Sequence, residues 1–425
     1  MRNRTCSRRS FLKSSAAIAV VAPALVPAKA LGLAEETAPS NRITMGCIGC
    51  GGRMRAVMAA FKGVKEVQPV ATCDVRQAGS EAFGKKLRVN SDSCYTDFRD
   101  LVARDDIDTV AIATPDHWHV LQAIAAMRAG KDVYCEKPLS NTIAEGRALV
   151  ETARRYGAVF QHGTQLHSMR GVRQACELVR NGRIGKLKEV RIGSPPGKAC
   201  GPMPGEPVPK QIDYDLWLGP APEVPYVGRV VNNKGWYFVS DYSKSGWIAG
   251  YGVHDLDIAQ WGIDQDRTGP VRIAGHGRYP QGGLFDTILT YDIEFEYVNG
   301  AKIIMTDTKK NRHGVKFIGE EGWVFTRGGI AAEPKSLLKE KIGPDEIHLY
   351  DSPGHARNFI DCVKSRRETI TPPEVAHRAT STALLGGIAC QLGRPLEWDP
   401  DAERFVDDPE ADRLLRYAMR QPWQL

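Results

Sequence analysis

The sequence lacks any apolar run near the length of about 18 residues that a membrane-spanning helix needs, which excludes a polytopic membrane protein. It lacks an internal repeat, and its 42 glycines and 26 prolines follow no period, so collagen-like and low-complexity chains are excluded. His162, His167, His276, His313, His348, His355 and His377 show no H-x-x-x-H or similar ligand spacing. They read as structural or surface residues, and no metal is expected. A disulfide framework is missing too. Of ten cysteines, Cys6 lies in the first thirty residues, and the other nine are scattered at no scaffold spacing, mostly within apolar runs. Cys47-x-x-Cys50 has no second pair beside it and reads as packing. The formal charge is +7, but residues 1–30 hold six basic residues and no acidic one. The remaining 51 basic residues balance 50 acidic ones, so nucleic acid is not an expected partner. What is left is a globular chain of 425 residues, 42% hydrophobic, long enough for two domains.

The N-terminus is built as an address. Arg8-Arg9-Ser10-Phe11-Leu12-Lys13 precedes an apolar stretch, Ala16 to Val26, and the small-residue site Ala28-Lys29-Ala30. A basic segment, a short apolar one and A-x-A make a removable signal over 1–30, followed by a linker over 31–41, rather than a stable membrane anchor. The paired arginines resemble the twin-arginine export signal, which implies the export machinery as a partner and a periplasmic or other extracytoplasmic destination.

From Arg42 strands and helices alternate. Ile43 to Ile48, Val67 to Cys73, Ile107 to Thr114, Asp132 to Cys135 and Ala158 to Gly163 read as strands. Arg53 to Lys62, Phe98 to Ala103, His117 to Ala129 and Thr142 to Tyr156 read as helices between them. Continuous apolar strands joined through helices predict a doubly wound parallel sheet over 42–165, an α/β domain of Rossmann type. Residues 166–425 read differently. After a helix, Ser168 to Asn181, and a strand from Lys186, a loop from Pro195 to Pro209 carries six prolines. Tyr291, Ile293, Phe295 and Tyr297 then alternate with acidic residues, the pattern of a half-exposed antiparallel strand. Further short strands and two closing helices, His355 to Lys364 and Glu374 to Leu392, predict an α+β domain with an open, mostly antiparallel sheet.

The chemistry-bearing motifs fall at strand ends. Gly49-Cys50-Gly51-Gly52-Arg53-Met54 links the first strand to the first helix, with Met54 where G-x-G-x-x-G has its third glycine. Such a turn brings backbone N–H groups to a pyrophosphate at a helix N-terminus. Asp74, 23 residues after Gly51 and at the end of the second strand, is placed to accept from the adenosine ribose hydroxyls. That favours NAD, while Arg76 keeps NADP open. Trp236, Tyr237, Tyr242 and Trp247 cluster ahead of His254, as sugar-stacking rings or as core. His254 is the best general base, and Asp257 at i+3 shares its helix face and is expected to orient it or meet the substrate.

Cys135-Glu136-Lys137-Pro138 after the fourth strand, Thr114-Pro115-Asp116-His117-Trp118-His119, Gly163-Thr164-Gln165, Asp215-Leu-Trp-Leu-Gly-Pro-Ala-Pro222 and Gly252-Val253-His254-Asp255-Leu256-Asp257 together resemble the glucose–fructose oxidoreductase, inositol dehydrogenase and MocA family. The resemblance implies cofactor contacts from the glycine turn, Asp74, Thr114, Pro115, Asp116, His119, Glu136, Lys137 and Gln165. It implies that Glu136 binds the nicotinamide ribose and that Lys137 holds the substrate hydroxyl; joined to the residue reading, Lys137 and His254 are the expected catalytic pair, and Trp236, Tyr237 and Asp257 are expected toward a carbohydrate. Members often carry an Asp four residues before the His, where this chain has Gly250. The family also implies a homo-oligomer built on the open sheet. The expected activity is hydride transfer from a sugar, polyol or glycoside to NAD. Export adds that the cofactor travels with the fold and must be restored within each cycle. Two further readings stand beside it: an NAD-dependent glycosidase working by transient oxidation and elimination, and a non-catalytic carbohydrate-binding protein.

Overall fold

Strand β1, Ile43–Ile48, runs straight into helix α1, Gly52–Phe61. The computed structural model describes Ala38 and residues 41–425; the signal residues 1–30, and residues 31–41 apart from Ala38 and Asn41, lie outside the described residues. The alternation continues as β2 (Val67–Cys73), α2 (Gln77–Leu87), β3 (Cys94–Tyr95), α3 (Phe98–Val102), β4 (Thr109–Ile112), α4 (His119–Arg128), β5 (Asp132–Cys135), α5 (Ile143–Tyr156) and β6 (Phe160–His162). All six strands pair in parallel in the order β3-β2-β1-β4-β5-β6. Every residue of β4 and β5 is buried because helices cover both faces, and after the leading Thr109 and Asp132 both strands are apolar to their ends. The order reverses between β1 and β4, which opens a crevice at the carboxyl ends of these strands. The glycine turn, Asp74, Thr114 and Glu136 all follow directly from those ends.

Helix α5 starts where the sequence places it because Thr142 and Glu145 cap each other's backbone N–H groups. Helix α2 has no clear apolar stripe and buries only Ser80, Phe83 and Gly84, so its periodicity does not stand out in the sequence.

Residues beyond α6 (Arg170–Arg180) build the second sheet from β7 (Leu187–Ser194), β8 (Arg272–Arg278), β9 (Thr290–Glu296), β10 (Lys302–Asp307), β11 (Gly314–Gly319), β12 (Trp323–Thr326), β13 (Ile330–Glu333), β14 (Leu396–Asp399) and β15 (Arg404–Phe405). Its order is β13-β12-β11-β7-β10-β9-β8-β14-β15, with β7 and β10 parallel and the other pairs antiparallel. Along β9 the expected alternation holds: Tyr291, Ile293 and Phe295 are buried and their neighbours partly exposed. The buried face packs under helix α7 (Val253–Gly262) and the long α9 (Pro373–Leu392) around fully buried Phe295, Ile303 and Phe317. Each such side chain contributes roughly 1.5–3 kcal/mol. The loop over 195–209 forms no helix or strand.

Before α9, helix α8 (His355–Ser365) returns to the first sheet. Phe359, Ile360 and Val363 join Met54 and Phe61 of α1 in one cluster, and Arg357 holds Glu66 through two 2.9 Å bonds. Residues Ile43–Leu425 thus form one compact unit carrying both sheets. The nine described cysteines are all free, and eight are buried. Among the described residues no helix is long and apolar enough to cross a membrane.

Candidate active site

The turn after β1 is shaped by Gly49, whose φ of +84° lies in the left-handed region. A Cβ there would sit 2.8–2.9 Å from backbone atoms of Ala113 and Thr114, so nothing larger fits. Gly51 and Gly52 meet nothing within 4 Å where a Cβ would stand. They open the first turn of α1, with its unsatisfied N–H groups, toward a cavity of about 1080 Å³. Asp74 is held at the cavity wall by two backbone donors, Cys50 N at 2.9 Å and Arg76 N at 3.0 Å. Burial pushes its carboxyl above the usual range. Arg76 also lines the cavity and donates to Asn232 Oδ1 at 2.5 Å. Cys50 and Met54 do not line the cavity. Their side chains are 4% and 0% exposed and belong to the core beneath the turn.

Thr114 and Pro115 reach the cavity from β4. Asp116 and His119 do not, which corrects their assignment as cofactor contacts. The 3₁₀ turn Asp116–Trp118 swings them inward. Asp116 accepts from Ser243 Oγ at 2.7 Å, while the His119 ring lies 2.7 Å from Pro138 O and 3.0 Å from Thr114 O. His119 therefore ties the Pro138 loop beside Lys137 to the end of β4.

Glu136 is 3% exposed. Its Oε1 takes Arg53 Nη2 at 2.7 Å and Gln165 Nε2 at 3.0 Å, whereas Oε2 is buried with no partner. A buried acceptor left unmade is costly, so Oε2 is fitted to a donor from a ligand. Gly163 permits this packing, since its Cβ would lie 2.8 Å from Oε1. The Lys137 ammonium donates to the carbonyl of Gly250 and lies 5.8 and 5.6 Å from the ring centres of Tyr237 and Tyr251. Burial lowers its pKa, and nearby Asp116 and Glu136 offset this only in part. The residue standing where relatives often place Asp thus serves Lys137 through its backbone.

His254, at the start of α7, lines the same cavity, and its Nδ1 is buried without a partner. Burial, then the charges of Lys137 and Arg327, hold it well below the ordinary imidazole value, so it is neutral and able to accept a proton. Asp257 does not orient it; that expectation is corrected. Three helical residues leave a turn short by about 60°, enough to send Asp257 to another neighbour. Its Oδ1 lies 3.1 Å from His167 Nε2, in a dry pair stacked on Trp261, away from the cavity. Burial would lower the His167 pKa, but the Asp257 charge outweighs it and raises it.

The rings divide as well. Trp236, Tyr237 and Trp247 stack in series on the cavity wall, at centroid separations of 3.7 and 4.8 Å. Tyr242 is core, packed between His117 and Trp217. Tyr251, His313 and Arg327 also line the cavity. His313 was expected to be a structural or surface residue, and its place in the cavity corrects that expectation; the pairing of β11 with β12, not a motif, brings it to Arg327, which carried no sequence signal.

Buried Asp116 carries a measurable consequence. Burial raises its pKa from 3.8 to about 7, against the pull of Lys137. The folded chain therefore holds a proton that the unfolded chain has lost, and this contribution to stability declines as pH rises from about 4 to about 7. Asp116→Asn should flatten the decline by up to about 1.4 kcal/mol per pH unit, measured by urea unfolding between pH ~5 and ~7.5. An unchanged slope would refute the assignment.

The open N–H groups of α1, the held carboxylate of Asp74, the free Glu136 Oε2 and the cavity volume fit a dinucleotide. Among the described residues no group of three His, Cys, Asp or Glu side chains is placed to hold a metal ion. The sequence matches an oxidoreductase family's NAD-binding Rossmann fold over residues 43–164 and its C-terminal alpha/beta domain over residues 197–425. It is 34% identical over 200 residues to a glycosyl hydrolase family 109 protein of Solibacter usitatus, covering 43% of this chain and 44% of that one. It is 26% identical over 257 residues to a 1,5-anhydro-D-fructose reductase of Ensifer adhaerens, covering 60% and 67%. The fold is similar to that of an aldose-aldose oxidoreductase from Caulobacter crescentus complexed with glycerol (TM-score 0.62, 18% identity, 84% and 99% of the two chains). It is equally close to a levoglucosan dehydrogenase in complex with NADH and levoglucosan (TM-score 0.62, 17% identity, 84% and 99%). With the family's two domains matched across most of its length, the chain belongs to the glucose–fructose oxidoreductase, inositol dehydrogenase and MocA family of NAD-binding oxidoreductases.

Proposed function

We propose that the protein is exported and oxidises a hydroxyl of a sugar, polyol or glycoside, with NAD held tightly through the cycle. The observation that carries this reading is a single cavity whose one wall holds the glycine turn and Asp74 and whose other residues include Lys137, His254 and the stacked rings. NAD supplies the hydride acceptor. The glycine turn and α1 would bind its pyrophosphate, Asp74 the adenosine ribose, and Glu136 Oε2 the nicotinamide ribose. Lys137 would hold the reacting hydroxyl and offset the negative charge growing on its oxygen, an effect strengthened by the dry surroundings. Neutral His254 would take the hydroxyl proton. Trp236, Tyr237 and Trp247 would stack on the apolar face of the ring.

Export rests on residues 8–30 of the sequence, and assembly into a homo-oligomer on the open second sheet. Mass spectrometry of natively purified protein should give a chain cut after residue 30 together with retained NAD. Light scattering should give a mass above one chain. A nucleotide-free protein that binds no NAD would sink the oxidoreductase reading.

A second reaction is supported by the glycosyl hydrolase relative and by the restored cofactor that export demands. In that reaction transient oxidation would acidify a neighbouring C–H, the leaving group would depart by elimination, and addition of water with return of the hydride would complete hydrolysis and restore NAD. Aryl glycosides separate the two: release of the aglycone without net NADH favours the glycosidase, and stoichiometric NADH favours the dehydrogenase.

A further inference from the structure

Arg327, just past β12, has no use in the reaction described above. Its side chain is 22% exposed and lines the cavity. Its Nε donates to His313 Nε2 at 3.2 Å, and its nearest carboxylate oxygen, Asp255 Oδ1, lies 3.5 Å away. Asp255 is fully buried, yet neither of its oxygens accepts a hydrogen bond, so the ion pair is poorly made. Burial drives Asp255 up to about 7 although Arg327 pulls it down, so at neutral pH the carboxyl answers only part of the arginine's charge. Among the described residues no protein acceptor meets the two terminal guanidinium nitrogens. His313, held low by burial and then by Arg327, is neutral. Because its Nε2 accepts from Arg327, its proton sits on Nδ1, a second donor.

The charge of the whole cavity points the same way. Its walls carry five basic side chains, Arg53, Arg76, Lys137, Lys234 and Arg327, against two acidic ones, Asp74 and Glu136. Oxidised NAD, singly negative overall, leaves a positive surplus. Arg327 is near enough to Lys137 and His254 to perturb both, which puts the surplus at the reacting end. A neutral sugar would strip water from this guanidinium and leave its charge unanswered, which is unfavourable. A carboxylate answers it with two parallel hydrogen bonds.

We propose that the substrate is an acidic sugar bearing a carboxylate, of the uronic acid class, and that Arg327 with His313 binds that carboxylate. One guanidinium beside a neutral imidazole matches one negative charge, which favours carboxylate over a doubly charged phosphate. The proposal rests on the cavity being the sugar site.

Its test is calorimetric titration of NAD-loaded protein with D-glucuronate and D-galacturonate, against D-glucose, D-galactose and glucose 6-phosphate. At least one uronate should bind about 10- to 100-fold more tightly than its neutral counterpart. Arg327→Gln should bring that ratio near unity, and Arg327→Lys should keep part of it. NAD should still raise the melting temperature of both variants, which shows that the nucleotide end is intact. The proposal is overturned if no uronate binds better than its neutral counterpart, if glucose 6-phosphate binds more tightly than either uronate, or if Arg327→Gln leaves the ratio unchanged. The two readings fail separately. Selective uronate binding with no nicotinamide reduction would refute hydride transfer alone, and turnover of neutral sugars without acid preference would refute the carboxylate site alone.

Discussion

Replacing Lys137 with methionine lowers sugar-dependent nicotinamide reduction by about 10²- to 10⁴-fold, while the protein still folds and still binds NAD. Methionine keeps the length of the apolar stem and removes only the ammonium. That ammonium is half-buried, faces Tyr237 and Tyr251, and donates to the Gly250 carbonyl. In so dry a place a positive charge beside a developing alkoxide counts for far more than in water. The loss should fall on kcat rather than on the KM for NAD, because the charge acts most strongly where the oxygen becomes negative. His254→Ala should show a companion loss, with its activity no longer following an acid limb set by the imidazole. Single-turnover kinetics on NAD-loaded protein give the measurement. A Lys137→Met rate within about threefold of the parent would remove this residue from the chemistry.

The second large effect concerns the other end of the cavity. Gly49→Val should destabilise the fold by more than about 3 kcal/mol and abolish NAD binding. At φ +84° a β-branched residue is strained, and its Cβ would press on the backbone of Ala113 and Thr114 at 2.8–2.9 Å. Backbone atoms of β4 and its following loop cannot swing aside as a flexible side chain can. Gly51→Ala is the contrasting variant. Gly51 has φ −72°, and an added methyl meets nothing in the protein, so the fold should stay intact. The methyl enters the cavity instead, where it should weaken NAD. Thermal melts with and without NAD distinguish these outcomes. NAD at about 100 times its Kd stabilises the parent by about 2.7 kcal/mol, and this increment should shrink in both variants, with a lower starting melting point only for Gly49→Val. A Gly49→Val protein that melts like the parent would show that the turn is not under this steric constraint.

Much of the nucleotide half could be read from residue order alone. β1, β2 and β5 begin and end where the sequence places them, since each ends in a buried stretch with little polar character that feeds the sheet edge. The glycine turn and Asp74 sit next to such strands, so their place at the sheet edge follows from chain connectivity. Side-chain direction was less legible. Asp116 and His119 stand in the right loop but turn inward, since a single 3₁₀ turn decides which side chains face the crevice. Asp257 shares a helix with His254 yet serves His167, a residue ninety positions earlier, and no local period encodes that partner.

Local chemistry thus determined the alternating architecture, the glycine turn, the acid at the end of β2 and the Glu136-Lys137 pair, because each depends on neighbours only a few residues away. Tertiary structure decided the rest. It set Lys137 against the Gly250 carbonyl, left Glu136 Oε2 and His254 Nδ1 without protein partners, and joined His313 to Arg327 across β11 and β12. These arrangements join segments over a hundred residues apart or lie across a strand pair, and burial in the folded core is what lowers the pKa of Lys137, His254 and His313.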